Sequence, residues 1–214
     1  MEKILLIGAG GHCKVIIDLI ESLKKYEIFG VTDKKKKGTI LNYKIVGDDS
    51  KLTSIYKSGV HYAFVCVGAI SNQLIRNKIY SKLKNIGFDI PILIHKNAIV
   101  SSYAEVGKGT CVMAGSIINA GSCIGKNCII NTGSVIEHDC TVGDNTHISP
   151  NVSLGGGTQI GDNTHIGIGS SIIQGVNIGN NVTVGAGAVV IDDIPYNCTA
   201  VGVPAKIIKK HIDK

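Results

Sequence analysis

The 214-residue chain has no tryptophan, and its aromatic residues amount to 5%. That scarcity disfavours a thick sandwich packed around aromatic rings. No apolar run approaches the ~20 residues that span a bilayer, so membrane insertion is not expected. The opening Met1-Glu2-Lys3 leads into Ile4-Leu5-Leu6-Ile7 and then meets Gly8. This apolar stretch is too short for a signal peptide. The seven cysteines (13, 66, 111, 123, 128, 140 and 198) contain no Cys-x-x-Cys pair and are odd in number. A zinc site is therefore not expected, and a reducing cytoplasm suits them better than a disulfide framework. Zinc-finger spacing, RNA-recognition motifs and aromatics interleaved with basic residues are also missing, which argues against nucleic acid as a partner.

What is present is 44% hydrophobic residues, mostly aliphatic, together with 27 glycines. Such a mixture suits thin, repetitive β structure. The formal charge of +6 is uneven: residues 1–96 carry 16 Lys/Arg and 8 Asp/Glu, whereas residues 97–214 carry 6 and 8. A basic first half fits phosphate-bearing small molecules. The run Lys34 to Lys37 reads as a solvated loop.

Residues 3–89 alternate between strand and helix patterns. Lys3–Ile7 is a short apolar strand, Gly8-Ala9-Gly10-Gly11 a tight turn, and Lys14–Leu23 a helix with Val15, Ile16, Leu19, Ile20 and Leu23 on its apolar side. Further strands are expected at 28–32 and 62–67, with a helix over about 73–83. This is the βαβ grammar of a small parallel sheet, and Pro91 marks a boundary.

From Ile94 the rhythm changes. An aliphatic residue recurs at every sixth position through Val190, and a small or β-branched residue follows four places after each from Val106 to Val184. Such a period means a solenoid of three-sided coils, each stacking its aliphatic column on the next. The aliphatic residue is expected to fill the corners and the small residue the walls. Gly and Asn supply the backbone conformations of the corners.

The chain resembles the bacterial hexapeptide-repeat acyltransferases, and within them the group of sialic-acid O-acetyltransferases and UDP-4-amino-sugar N-acetyltransferases. The resemblance rests on Ile7-Gly8-Ala9-Gly10-Gly11-His12, the segment from Val67-Gly68 to Ile75-Arg76, Leu93-Ile94-His95, Val135-Ile136-Glu137-His138-Asp139-Cys140, and Gly202-Val203-Pro204-Ala205-Lys206. It implies an α/β Rossmann-like sugar-nucleotide-binding domain over residues 1–91. An all-β left-handed parallel β-helix with a C-terminal tail then covers 92–214. It also implies a homotrimer in which acetyl-CoA, the cosubstrate, lies in the groove between neighbouring prisms, with no metal.

The residues themselves suggest two sites. Glycines between a strand and a helix let N–H groups approach a phosphate at the helix N-terminus. Cys13 stands where a dinucleotide fingerprint has its third glycine, which argues against NAD. The resemblance assigns Gly10, Gly11 and His12 to the substrate diphosphate, Asp33 and Lys34 to base and ribose, and Gly68 to the same substrate. Arg76 is read as a helix-surface residue or a phosphate contact. In the second half, His138, His147 and His165 fall on neither repeating position, so all three should point outward. His138 lies between two carboxylates, and an imidazole so placed suits a general base acting on an amine. The resemblance makes His138 the catalytic base and Asp139 its assistant. It also puts His147 at the acetyl-CoA carbonyl, Ile168 and Ala186 along the cofactor, and Lys206 or Lys209 near its phosphates. His165, one coil beyond His147, is expected to stack over it. The expected reaction is direct attack of a nucleotide-linked amino sugar on the thioester. Acetylation of a sugar hydroxyl, as on sialic acid, and a non-catalytic or metal-binding scaffold remain open alternatives.

Overall fold

The structure is a computed structural model that describes residues 1–69 and 73–211. It comprises two compact units, Met1–Lys96 and Asn97–Lys214. No helix among the described residues is long and apolar enough to cross a membrane.

The first unit runs β1 (Glu2–Ile7), α1 (Gly11–Leu23), β2 (Tyr26–Thr32), β3 (Thr39–Ile40), β4 (Tyr43–Gly47), α2 (Leu52–Lys57), β5 (Tyr62–Val65) and α3 (Gln73–Ile86). Its sheet has the order β3-β4-β2-β1-β5. The β1–β2, β1–β5 and β2–β4 pairs are parallel, and β3–β4 is an antiparallel hairpin. Ile4 to Ile7 are fully enclosed, as a central parallel strand covered on both faces requires. The hairpin and α2 were not anticipated, because their short segments lie below the length at which periodicity speaks. The inner face of α1 also differs from expectation: Cys13, Ile16, Ile17, Leu19 and Ile20 are buried, whereas Val15 is 43% exposed. At 100° per residue Val15 falls outside the arc shared by Cys13, Ile16, Leu19 and Ile20.

The second unit is a parallel β-helix of two-residue strands. Each strand pairs with the one a full coil of 18 residues on, as Ile117 does with Val135 and Val135 with Ser153. One wall consists of the strands from Ile99–Val100 to Val189–Val190, and the next of those from Glu105–Val106 to Asn177–Ile178. The third runs from Cys111–Val112 to Thr183–Val184, extended by Cys198–Val201 and by the antiparallel Lys206–Lys210. The repeating aliphatics Val112, Ile118, Ile130, Ile136, Ile148 and Ile166 are wholly buried, each worth about 1.5–3 kcal/mol of burial.

They occupy the strands rather than the corners, which corrects the expectation. The corners are two-residue turns, and the small residue follows each turn on the same wall. Its chemistry has a reason beyond size. Ser122, Thr146, Thr164 and Ser170 donate their hydroxyls to the carbonyls of Glu137, Gly161, Gly179 and Gly185, in each case 15 residues on. Cys128 and Cys140 do the same with their thiols, toward Gly143 and Gly155. A small inward donor thus satisfies a corner carbonyl of the next coil.

Candidate active site

Most corners end on a residue in the left-handed region. Among the described residues of the second unit these are glycines and asparagines, with one exception: Asp139, at φ 59°. Asp tolerates that region nearly as well as Asn, so the corner can carry a carboxylate. The conformation turns the carboxylate back onto the preceding residue, and Asp139 Oδ2 stands 2.8 Å from His138 Nδ1. The adjacent coil leaves room for the carboxylate, since a Cβ on Gly121 would collide with Asp139 Oδ1. Both side chains of the pair remain open, at 65% and 72% exposure. The hydrogen bond that Nδ1–H donates to Asp139 raises the imidazole above its ordinary pKa of 6.5, with the charge of Asp139 adding to it and that of Glu137 following. Glu137 does not reach the ring; its Oε2 accepts from Asn119 Nδ2 at 3.0 Å.

The other face of the imidazole rests on Gly156, one coil above. A Cβ there would stand 2.6 Å from His138 Nε2 and 2.7 Å from Cε1. Gly156 lies at the first turn position, where φ is not positive, and the same corner carries Ala120 and Gln174 at that position in neighbouring coils. Its lack of a side chain is therefore required by the ring, not by the turn. Sequence reasoning passed over Gly156; the available signal was a glycine 18 residues after His138 at a position that needs none. Cys140, beside the pair in sequence, points inward. Burial pushes its thiol up from the ordinary range, and it donates to Gly155, so it is not set up as a nucleophile.

The remaining cofactor candidates lie elsewhere on the prism. Ile168 and Ala186 are exposed first-turn residues of a different corner, one coil apart. His147 points away from the coil interior, as expected, yet it is only 3% exposed. Its ring stacks on His165, with centroids 5.0 Å apart and planes at 22°, and Asn131 Nδ2 stands 3.1 Å from Nε2. The stacking was expected; the enclosure was not, because the contacts of an outward face are invisible to a six-residue period.

In the first unit, Gly10 caps α1 with no side chain on its N-terminal N–H groups. A Cβ at Gly10, Gly11 or Gly68 would meet nothing within 4 Å, so no contact among the described residues demands glycine at these positions. Gly8 differs: its φ is +101°, and a Cβ would meet Val67 Cγ2 at 2.7 Å. The His12 Nε2 is shielded from solvent and has no hydrogen-bond partner among the described residues. Burial first, and the Arg76 charge second, lower the His12 pKa to about 3. Arg76 is neither on the helix surface nor open to a phosphate. It is 1% exposed, and Nη1 donates to the carbonyls of Val65 and Val67, each at 2.9 Å, tying off the end of β5. Residues 70–72 of the motif segment lie outside the described residues.

Asp33 is also committed inward. Its Oδ2 accepts from Ala9 N–H at 2.8 Å, and its Oδ1 from the N–H groups of Lys35 and Lys36 at 2.9 Å each. These bonds hold its carboxyl below the usual range against the opposing effect of partial burial. Lys36 Nζ donates to the Ala9 carbonyl at 2.7 Å, so the two side chains clamp the glycine turn. The cleft beside it, about 570 Å³, is bounded by the ends of β1, β2 and β5 and includes Thr32, Lys34 and Asp49. Asp49 had no role in the sequence reading; β4, which carries it there, had not been recognised.

Over nearly its whole length the chain is similar to PerB from Caulobacter crescentus, a structure solved in complex with CoA and GDP-perosamine. The two are 38% identical with a TM-score of 0.93, and 98% of each chain is covered. The chain belongs to the hexapeptide-repeat sugar acetyltransferases. Residues 3–83 match the PglD N-terminal domain, and residues 124–156 and 157–192 match the bacterial transferase hexapeptide repeats. A second member of the family, the acetyltransferase domain of PglB from Neisseria gonorrhoeae, is 37% identical with a TM-score of 0.92, over 97% of this chain and 100% of that one. That domain has also been solved with acetyl coenzyme A. Among curated proteins, the UDP-N-acetylbacillosamine N-acetyltransferase of Bacillus subtilis is 39% identical over 116 residues, 53% of this chain. That alignment spans about half of the relative's length, 52%. Within the described residues, no group of three or more His, Cys, Asp or Glu is placed to hold a metal ion.

Proposed function

We propose that the chain is an acetyl-CoA-dependent N-acetyltransferase acting on a nucleotide-linked amino sugar. The observation that carries this reading is the His138–Asp139 pair. A carboxylate in the left-handed corner engages Nδ1 at 2.8 Å, which leaves Nε2 of a solvent-open imidazole as the proton acceptor. As the sugar amine attacks the thioester carbonyl carbon, His138 Nε2 takes its proton. Asp139 holds the ring in one tautomer and stabilises the imidazolium. The negative oxygen of the tetrahedral intermediate needs donors; the backbone N–H of Gly156, beside the ring, and His147 are the groups proposed. Collapse breaks the C–S bond, and CoA leaves as a thiolate that receives a proton. With the Cys140 thiol buried and occupied, transfer is direct, without an acyl-enzyme. Structures of PerB in which a single histidine is changed to asparagine or to alanine support a central histidine in this family.

The same reading requires more than one copy of the chain. His138 turns the corner between the Val135–Ile136 and Thr141–Val142 strands, whereas Ile168 and Ala186 turn the corner between the His165–Ile166 and Ser171–Ile172 walls. A full wall separates the two corners, roughly 13 Å at ~3.3 Å per extended residue. One chain cannot present both to one acetyl group, but a neighbouring prism can, and closed three-fold symmetry supplies three equivalent grooves. Gly10, Gly11, His12 and Gly68, with the cleft near Asp33 and Lys34, form the proposed sugar-nucleotide site. Six buried cysteines and the CoA cosubstrate support a cytoplasmic location. His138→Ala should lower turnover by about 10²–10⁴-fold while acetyl-CoA binding and the oligomer persist. Turnover within a few fold of wild type would refute the role of His138.

A further inference from the structure

The cleft at the end of the first sheet holds an arrangement that the catalytic reading does not use. It lies at the strand ends where the chain order reverses about β1, the ordinary position for a ligand in an open parallel sheet. Ile7, Val67 and Ile79 give it flat apolar surface. The Thr32 hydroxyl at the end of β2 is fully buried and has no hydrogen-bond partner among the described residues. Asp33 lines the cleft, but both its carboxylate oxygens are consumed by backbone N–H groups, so it has little left with which to read a ligand. Asp49 is different. Its Oδ2 has Lys34 Nζ at 3.6 Å, and Lys82 Nζ donates to its backbone carbonyl at 2.9 Å. The Asp49 carboxylate thus faces the Lys34 ammonium, while the Lys82 ammonium is held beside it at the backbone of the same residue.

We propose that the row Lys34–Asp49–Lys82 reads the nucleobase of the substrate and admits bases with a ring N–H beside a keto oxygen. This rests on the sugar-nucleotide reading above and narrows it to uracil, thymine or guanine. In these bases the ring N–H donates to the Asp49 carboxylate, and a neighbouring keto oxygen accepts from a lysine. Cytosine and adenine turn a nitrogen lone pair toward the same carboxylate. They leave that acceptor facing an acceptor, inside a cleft where an unpaired polar group is costly. A matched pair of base-edge hydrogen bonds discriminates by about 5- to 150-fold in affinity.

The test is calorimetry of the full chain with UDP, GDP, CDP and ADP, on wild type and on Asp49→Asn. Wild type should bind UDP or GDP at least about fivefold more tightly than CDP and ADP. Asp49→Asn should erase that gap through loss of the keto-base affinity, with acetyl-CoA affinity unchanged as the check on folding. Equal binding of CDP or ADP by wild type overturns the assignment, and so does a gap that survives in Asp49→Asn. If acetyl-CoA binds and none of the four diphosphates does, the sugar-nucleotide reading itself fails and this proposal falls with it.

Discussion

Replacing Gly156 with alanine puts a methyl group where the His138 imidazole now lies. The new Cβ would stand 2.6 Å from Nε2, 2.7 Å from Cε1 and 3.2 Å from Cδ2, whereas non-bonded carbon contacts settle near ~3.5 Å. The ring must therefore retreat by about 0.9 Å. The turn itself tolerates alanine, because φ at this position is not in the left-handed region, so the coil should keep its register. Displacement of a reacting group by about 1 Å costs up to ~10²-fold in rate. The expected result is a kcat lower by about 10–100-fold, with KM for acetyl-CoA and the thermal midpoint nearly unchanged. A proton titration of the His138 ring by NMR should show its pKa falling toward the ordinary 6.5, since the displaced ring loses its 2.8 Å contact with Asp139. Steady-state kinetics on the purified oligomer decide the matter. A kcat within about twofold of wild type would show that the ring does not need this seat.

Other perturbations follow from the same geometry. Asp139 raises the His138 pKa, and the base must be neutral to act, so activity falls as pH drops through that raised value. Asp139→Asn should move this acid limb to lower pH and reduce the plateau rate, read from kcat/KM against pH. His12 binds its proton less readily when folded, at about 3 rather than 6.5. The unfolded chain therefore takes up more protons between those values. Stability should be complete above pH 6.5 and decline as pH falls toward 3; a His12→Gln variant should show a flatter decline in urea midpoints. Ser122 donates inside the prism to the Glu137 carbonyl at 2.7 Å, so Ser122→Ala should cost about 1 kcal/mol in urea unfolding.

The β-helix was legible because its period is enforced by burial at every sixth residue, a signal repeated through seventeen positions from Ile94 to Val190. The first unit was legible only in its long elements. The β3–β4 hairpin and α2 are too short for periodicity, so Asp49 could not be foreseen in the cleft. His138 and Asp139 stood out as neighbours in sequence, and their contact is local. The Gly156 seat is a contact across coils, and it emerges only when the repeat is folded to 18 residues per turn. The enclosure of His147 and the inward duty of Asp33 depend on packing and backbone bonds that residue type does not announce. Arg76 shows the same limit: a helix arginine reads as surface until the carbonyls of Val65 and Val67 are seen to claim it.

The claim on which the account turns is that His138 of one chain works against the Ile168 corner of another. Mixed oligomers test it most directly. His138→Ala and Ile168→Trp chains, each inactive alone, are unfolded together, refolded at equal ratio and assayed. Random three-fold assembly should restore roughly a quarter of the wild-type sites, each pairing an intact His138 with an intact Ile168 from a different chain. A mixture as inactive as its two components would contradict a site shared between copies.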